Sequence, residues 1–284
     1  MRVGEYILAR RVASGATCDV YRGYHAVTGQ AVAVKILIPS LCSDAQLSGR
    51  FLNEAQALQQ LRHAHLVKAV TSGVLPTGQP FLILEWLPTD LHQVLTRAGG
   101  QLPVQTATHV AAQLGAVLAF LHESRIFHRD LKPANILVAT DNLATIEVKL
   151  ADLGLAKIPR EAGHEGGMGP VAAVVSTASR ALLGTWDYMA PEQWVQSKTA
   201  GGPADVYSLG VLLFQMLAGR LPFVAELQKD LMYLHLLEQP PFELLEGLAP
   251  HATRDLIAGM LRKKPLERPA MREIAQRLVD TPIM

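Results

Sequence analysis

The stretch Phe127–Asn135 reads F-H-R-D-L-K-P-A-N and places three groups suited to phosphate chemistry in one short loop. Asp130 supplies a carboxylate, Lys132 an ammonium group and Asn135 an amide. Phosphoryl transfer needs little covalent chemistry from a protein, so such a loop must supply positioning and charge neutralisation. A carboxylate can orient a hydroxyl nucleophile, and an amide can bind a divalent metal ion. The loop is therefore predicted to carry out phosphoryl transfer.

The pattern H-R-D-L-K-x-x-N resembles the catalytic loop of the eukaryotic-type serine/threonine protein kinases, and the simple alanine- and leucine-rich chain suggests a bacterial member. The resemblance implies that Asp130 orients the acceptor hydroxyl, Lys132 neutralises charge on the γ-phosphate and Asn135 binds the metal ion. Lys132 also distinguishes the loop from that of tyrosine kinases, which usually reads D-L-A-A-R-N or D-L-R-A-A-N. A polar surface turn with a satisfied His128 is the alternative, but motifs on both sides follow the kinase order.

Three charged residues elsewhere match further motifs of the family. Lys35 lies in A-V-A-V-K-I-L, which resembles V-A-I-K, and a lysine within an apolar strand is costly unless it binds an anion. The resemblance implies that Lys35 binds the α- and β-phosphates of ATP and pairs with Glu54 on a following helix. Asp152 begins D-L-G, with leucine for the phenylalanine of D-F-G, and is the expected second ligand of Mg²⁺ or Mn²⁺. The alternatives are an edge lysine that snorkels to solvent for Lys35 and a solvated residue on the helix face for Glu54.

The segment around Gly15 resembles the glycine-rich loop G-x-G-x-x-G-x-V that covers ATP phosphates, but Ala13 and Cys18 replace the outer glycines. A cysteine beside Lys35 and many amide donors is a hypothetical site for a reactive thiolate, although a tolerated small residue is the blander interpretation. The resemblance implies that ATP is bound by eight residues: Val12, Gly15, Val20, Ala33, Lys35, Glu85, Leu87 and Leu137.

Between Gly154 and Gly184 runs a glycine-containing loop that ends in G-T-W-D-Y-M-A-P-E, similar to the end of a kinase activation segment. The resemblance implies that Thr185 contacts Asp130 and Lys132. It also implies phosphorylation within the group Ser176, Thr177 and Ser179, without deciding which is modified, and allows a homodimer for autophosphorylation.

The surrounding pattern predicts an α+β, bilobal protein kinase fold, with a small antiparallel β lobe carrying one helix and a larger, mainly helical lobe. We expect residues 1–88 to form the nucleotide-binding lobe, with five strands, and residues 89–284 the catalytic and substrate-binding lobe. Apolar residues at helical spacing predict a long core helix over Val104–Glu123. Asp205 is expected to brace the catalytic loop, and Glu192 to pair with Arg268.

Composition sets few further limits. The chain has 284 residues, a formal net charge of +1 and two cysteines, so neither nucleic acid nor a disulfide framework is indicated. No membrane segment is expected, and the cytoplasm is the expected compartment. Together these features predict a serine/threonine protein kinase that phosphorylates proteins with ATP. A pseudokinase or ATP-binding signalling scaffold is the first alternative, and a kinase of small molecules is the second.

Overall fold

A twisted antiparallel sheet forms the first part of the chain in the computed structural model, which describes residues 1–15, 17–140, 142–153, 186–196 and 200–280. The strands lie in the order β1-β2-β3-β4-β6-β5. Their bounds are β1 Arg2–Val3, β2 Tyr6–Ser14, β3 Cys18–His25, β4 Ala31–Leu37, β5 Ala69–Val74 and β6 Pro80–Glu85. The apolar, β-branched run of β4 places this strand between β3 and β6, where its valines are buried.

This sheet has six strands where the sequence indicated five. The additional strand is β1, which pairs Arg2 with Ile7 and Val3 with Tyr6. Gly4 makes the tight turn possible because its φ of 56° lies in the left-handed region, which glycine enters without a Cβ penalty. Two residues carry too little periodicity to be recognised as a strand from sequence.

Helix α1, Ala45–Gln60, packs against β5 and β6 and carries Glu54. It begins at Asp44, whose Oδ1 accepts hydrogen bonds from Gln46 N at 2.8 Å and Leu47 N at 3.1 Å, as expected of an N-cap aspartate. Its buried residues, Phe51, Ala55 and Leu58, recur at helical spacing and hold the helix on the sheet.

The second part of the chain is mainly helical. Its helices are α2 Leu91–Arg97, α3 Val104–Glu123, α4 Pro191–Gln196, α5 Gly202–Ala218, α6 Gln228–Leu237, α7 His251–Met260 and α8 Met271–Asp280. A small antiparallel sheet in the order β7-β8-β9 accompanies them, formed by β7 Thr89–Asp90, β8 Ile136–Thr140 and β9 Glu147–Leu150. The predicted boundary between lobes at residue 88 stays a prediction.

Helix α3 is the centre of the helical part, and the prediction of a helix over Val104–Glu123 is confirmed. By length and composition alone it could cross a membrane. Here it packs against α5, α8 and β9. Val110, Leu114, Val117 and Leu121 are completely buried, which is the environment of a core helix.

Backbone hydrogen bonds join the two parts of the chain close to the cleft. In the connection between α1 and β5, His65 O accepts from Leu150 N at 2.8 Å, and Val67 N donates to Leu150 O at 2.9 Å. Leu66 and Leu150 form a parallel bridge at the same point. Strand β9 is therefore fixed to the connection between α1 and β5 two residues before Asp152.

Candidate active site

Asp205 on α5 holds the loop at 127–135 in place through hydrogen bonds to its main chain. Asp205 Oδ1 accepts from Arg129 N at 2.6 Å, and Oδ2 accepts from His128 N at 2.9 Å and His122 Nε2 at 2.8 Å. Arg129 has a φ of 60°, a conformation that costs a non-glycine residue about 1–2 kcal/mol. Burial alone would raise the pKa of Asp205, but the hydrogen bond and charge of His122 outweigh it and lower the pKa. The buried carboxylate thus stabilises the strained turn.

His128 is completely buried and connects the loop to β9. Its Nδ1 accepts from Asp130 N at 3.3 Å, so Nε2 carries the proton and donates to Ala151 O at 3.0 Å. The imidazole therefore fixes the main chain at both candidate catalytic aspartates, Asp130 and the neighbouring Asp152. His128 is a satisfied histidine with a positioning role.

Asp130, Lys132 and Asn135 meet in one cluster. Asn135 Nδ2 donates to Asp130 O at 2.8 Å and to Asp130 Oδ2 at 3.0 Å, while Lys132 Nζ lies 3.2 Å from Asp130 Oδ2. Because both partners of the amide are oxygens, its nitrogen must face them, which directs Oδ1 elsewhere as an acceptor. The cluster offers a carboxylate with fixed orientation, an adjacent cation and an amide oxygen.

Asp152 is placed by the same loop. Ala151 N donates to Asn135 O at 2.9 Å, and Asp152 itself has a φ of 54°. Its side chain is about half exposed to the cleft, at 51%. Oxygen donors of the Asn135 and Asp152 type suit Mg²⁺, which usually takes one or two protein ligands and completes its shell with phosphates and water. The donor chemistry of these two residues therefore fits the predicted metal.

Lys35 on β4 lies between two carboxylates. Its Nζ is 2.7 Å from Asp152 Oδ1 but 3.7 Å from Glu54 Oε1, so it hydrogen-bonds to Asp152 and only approaches Glu54. Burial by itself would lower the pKa of Lys35, but Asp152 and then Glu54 outweigh it and raise the pKa. Conversely, the charge of Lys35 lowers the pKa of Asp152. The ammonium group remains charged and is held mainly by Asp152.

Glu54 is the weaker partner in this arrangement. Its Oε1 is buried without a hydrogen-bond partner among the described residues. Burial raises its pKa to about 7, with Lys35 opposing the shift and Asp152 adding to it. A desolvated carboxylate that lacks a hydrogen bond favours the proton-bound form. A ligand that draws Asp152 away from Lys35 would therefore favour the ionised form of Glu54, because the charge of Asp152 is one of the causes that raise its pKa.

Two of the residues predicted to bind ATP, Val20 and Ala33, lie close to Lys35. Val20 is the cross-strand partner of Lys35, and Ala33 lies two residues before Lys35 on the same strand. Leu87 and Leu137 are partly buried and, like Ala33, pack against the main hydrophobic core. Val20 and Ala33 are thus close to Lys35, and the contacts of these four residues with ATP stay predictions.

The other predicted nucleotide-binding residues are more peripheral. Val12 on β2 is 38% exposed, and Gly15 N donates to Cys18 O at 2.9 Å across the turn between β2 and β3. The Glu85 carboxylate accepts from Lys149 Nζ at 2.8 and 2.9 Å and from Lys68 N at 2.7 Å. Because that side chain is occupied, contact of residue 85 with a ligand would involve its main chain.

The hypothesis of a reactive Cys18 thiolate is wrong in this structure. The side chain is 7% exposed and faces the core, and burial raises the pKa of the thiol despite the opposing charge of Lys35. The residue behaves as a small apolar side chain in β3.

A polar clamp at the β2–β3 turn was not recognised from sequence. Ser14 Oγ donates to Asp19 Oδ1 at 2.7 Å across the two strands, and Arg11 Nη1 lies 3.4 Å from Asp19 Oδ2. Ser14 and Asp19 are register partners, so their side chains share one face. This pair ties the strands together at the point where the family pattern has a glycine and this chain has Ala13.

The ion pair predicted for the large lobe is present. Arg268 Nη1 and Nη2 donate to the two carboxylate oxygens of Glu192 at 2.7 and 2.9 Å, and the Arg268 side chain is completely buried. The adjacent Gln193 was missed: its Nε2 donates to Arg129 O at 2.9 Å, linking α4 to the catalytic loop. Nothing in the local sequence identifies Gln193, because its partner lies 64 residues away.

Several predicted residues lie outside the described part of the chain. They belong to the loop between Gly154 and Gly184 and its end, and comprise Ser176, Thr177, Ser179 and Thr185. Their predicted contacts and phosphorylation stay predictions.

Comparisons with known proteins identify relatives of this chain. A family model described as the protein kinase domain matches residues 6–279. Serine/threonine-protein kinase PknL of Mycobacterium tuberculosis is 32% identical over 265 residues, which are 93% of this chain and 62% of PknL. Serine/threonine-protein kinase Pkn1 of Myxococcus xanthus is 34% identical over 269 residues, 94% of this chain and 37% of Pkn1. The chain thus spans about three fifths or less of the length of these relatives.

A solved structure supports the fold assignment. The crystal structure of Rad53 residues 1–466 in complex with AMP-PNP aligns with a TM-score of 0.74, covering 96% of this chain and 64% of that chain. At 23% sequence identity this likeness shows the fold alone. The predicted bilobal fold is confirmed.

Proposed function

We propose that this chain, which belongs to the protein kinase family, transfers the γ-phosphoryl group of ATP to serine and threonine hydroxyls of protein substrates. The family resemblance predicted from the motifs is confirmed by the match over residues 6–279. The observation that carries the proposal is the approach of Lys35 Nζ to Asp152 Oδ1 at 2.7 Å beside the cluster of Asp130, Lys132 and Asn135. The names of PknL and Pkn1 and the AMP-PNP in the Rad53 complex support the substrate classes.

Asp130 is proposed to orient the acceptor hydroxyl and receive its proton. Its carboxylate is held by Asn135 Nδ2 and lies 3.2 Å from the Lys132 ammonium group, so its direction is fixed before a substrate arrives. Positioning of this kind is the main contribution of a protein to phosphoryl transfer. Lys132 would then lie close enough to neutralise charge on the transferred group, and its place in the loop is the feature that distinguishes this motif from that of tyrosine kinases.

Asn135 and Asp152 are proposed to hold Mg²⁺ or Mn²⁺. The ion would supply positive charge at the phosphate oxygens. The Asp152 carboxylate cannot bind the metal ion and keep its present contact with Lys35 equally well. We therefore expect Lys35 to leave Asp152, bind phosphate oxygens and move closer to Glu54. Binding of nucleotide would thus complete the pairing that is only partly formed at 3.7 Å in the structure.

Nucleotide binding is proposed to use the apolar residues around Lys35 and the main chain of the segment after β6. Val12, Val20, Ala33, Leu87 and Leu137 would contact the adenine side. Main-chain groups at Glu85 and Leu87 would read the base, and Gly15 would lie over the phosphates.

Activation is proposed to proceed by autophosphorylation between two copies of the chain at Thr177 or Ser179. A phosphate there could form about 1–3 charge-assisted hydrogen bonds with Arg129, the neighbour of Asp130, and order the segment. Turnover of the wild-type chain should then show a lag, and a Thr177→Ala, Ser179→Ala double variant should stay at the low initial rate. Wild-type kinetics from the first seconds in that variant would contradict this mechanism.

Two substitutions test the assignment of roles. Asp130→Asn should leave affinity for Mg-ATP nearly intact and reduce turnover about 100-fold or more, because it removes the group that receives the proton. Asp152→Ala should weaken Mg-ATP binding itself. Nucleotide affinity is measured by calorimetry and transfer with labelled ATP and a general protein acceptor.

Asp230→Asn, at an exposed position on α6, is the matched control and should behave as wild type. Full transfer activity in either active-site variant would refute the proposed function. Nucleotide binding without transfer in the wild-type chain would instead favour the ATP-binding scaffold.

A further inference from the structure

A groove of about 390 Å³ opens where the connection between α1 and β5 meets β9. We propose that it docks an acidic peptide segment of a protein partner, with one apolar side chain of that segment inserted as an anchor. None of the residues that line the groove is among those assigned to phosphoryl transfer. The proposal therefore goes beyond the proposed function and does not depend on it.

The floor of the groove is apolar. Leu61 and Leu66 contribute aliphatic side chains, and Ala64 is exposed beside them. Apolar surface held open to water in a concave site gains free energy when a ligand covers it, by about 25 cal/mol for each Å². An inserted aliphatic side chain would remove this apolar surface from water, whereas a small inorganic anion would leave it exposed to water.

The rim of the groove is basic. Arg62 and Lys68 are exposed, and Lys149 lines the wall from β9. Glu85 is the acidic residue that contacts this rim, and its carboxylate is engaged by Lys149 Nζ at 2.8 and 2.9 Å. Among the described residues, the three cations that line the groove and the Glu85 carboxylate leave a net positive rim. Complementary charge favours an acidic segment, because opposite charges at a rim accelerate and orient association.

The walls are held in place before any partner binds. The His63 ring stacks on Phe120 of α3 with centroids 5.3 Å apart, and His65 Nδ1 lies 3.1 Å from Val148 O. Burial lowers the pKa of His63, with the neighbouring His65 adding to the shift, so this imidazole stays neutral and does not repel the basic rim. A preformed groove loses little conformational entropy on binding, which favours a short peptide.

The shape also distinguishes a peptide from other polyanions. Nucleic acid would require a long basic stripe, whereas the lining of this groove contributes only the three cations Arg62, Lys68 and Lys149. A single apolar pocket between a few cations matches one hydrophobic residue flanked by acidic ones. The partner chemistry is thus a short segment in which glutamate or aspartate surrounds a leucine-like residue.

The test measures binding of a fluorescein-labelled peptide with one leucine between glutamates, by fluorescence anisotropy without nucleotide. Two reference peptides replace the leucine by serine or the glutamates by lysines. The double variant Arg62→Glu, Lys68→Glu should weaken binding of the acidic peptide about tenfold or more, the sum expected for two reversed surface charges. Lys229→Glu, at an exposed position on α6, is the matched control and should bind as wild type.

A second variant, Ala64→Gln, fills the exposed part of the floor without changing charge and should also weaken binding. This variant provides the test if the double variant unfolds at a lower temperature than wild type in a thermal unfolding control. The proposal is overturned if the acidic peptide fails to bind wild type or binds both groove variants as tightly as wild type. The proposal is also overturned if the serine peptide binds as tightly as the acidic leucine peptide, which would indicate a simple anion site. The same holds if the lysine peptide binds as tightly as the acidic one. Because nucleotide is absent, failure here leaves the transfer experiments above unaffected.

Discussion

Replacing Glu54 by glutamine should change how the free energy of unfolding depends on pH. In the folded protein, burial raises the pKa of Glu54 to about 7, above the ordinary value of 4.5. The folded state therefore binds this proton more tightly than the unfolded chain does. Stability from this group is fully present below about pH 4.5 and is lost as the pH rises through about 7. Glutamine cannot ionise, so Glu54→Gln should remove this loss.

The change in the free energy of unfolding follows from the shift in the pKa of Glu54. The difference between 4.5 and about 7 corresponds to about 3 kcal/mol at 1.36 kcal/mol for each pKa unit. Most of it should appear between about pH 5 and about pH 8, since the unfolded glutamate is already ionised there while the folded one still titrates. The variant should gain about 2–3 kcal/mol relative to wild type across that interval. The Glu54 side chain is only 15% exposed, so solvent screening reduces this figure little.

The assay is urea unfolding of both proteins at several pH values, without nucleotide or metal. The quantity of interest is the difference between the two free energies at each pH, because contributions of titrating groups that do not interact with Glu54 cancel in it. Glu246→Gln, at an exposed position, is the control and should follow wild type. A difference between Glu54→Gln and wild type that stays constant from acid to neutral pH would refute the reasoning. It would mean that Lys35 balances the buried carboxylate despite the 3.7 Å separation.

Four further substitutions or treatments test the remaining contacts. Arg268→Ala leaves the Glu192 carboxylate without its two hydrogen bonds and should lower the free energy of unfolding by about 3–5 kcal/mol in urea, and a loss below about 1 kcal/mol would contradict this. Asp205→Asn removes the charge that accepts three hydrogen bonds, and should cost about 2–3 kcal/mol in the same assay and slow turnover, so unchanged turnover would exclude its role in supporting the loop. Asp19→Ala opens the clamp at the β2–β3 turn and should raise KM for ATP about threefold to tenfold with kcat nearly unchanged, whereas an unaltered KM would show that the clamp is dispensable. Cys18 should react with a thiol reagent only on unfolding, as read by mass spectrometry, and rapid labelling of the native protein would contradict its burial.

Local sequence was sufficient to predict the proximity of residues that lie in one short loop. Asp130, Lys132 and Asn135 lie within six positions, so the order of the residues alone predicts that they share a loop. The same holds for the long helix over Val104–Glu123, whose apolar spacing depends only on helix geometry. The roles of these residues in catalysis remain proposals, but their proximity could be predicted.

Contacts between distant segments could be predicted only through family resemblance, and some were not predicted at all. The pairing of Glu192 with Arg268 was expected from motifs, whereas the contacts of Glu85 with Lys149 and of Gln193 with the catalytic loop left no local signal. Such pairs depend on where whole elements pack, and the sequence near one partner carries no information about the other.

The choice between competing partners was decided by tertiary structure alone. The sequence determined that Lys35 needs an anion, because an ammonium group within an apolar strand is too costly without one. The family resemblance predicted the α- and β-phosphates of ATP and Glu54 as its anions, and the structure places Asp152 at 2.7 Å and Glu54 at 3.7 Å. The burial of Cys18 was decided in the same way, since β3 pairs with β4 and directs the thiol into the core. In both cases the chemistry follows from ångström-scale distances and burial, which packing sets and which residue order does not encode locally.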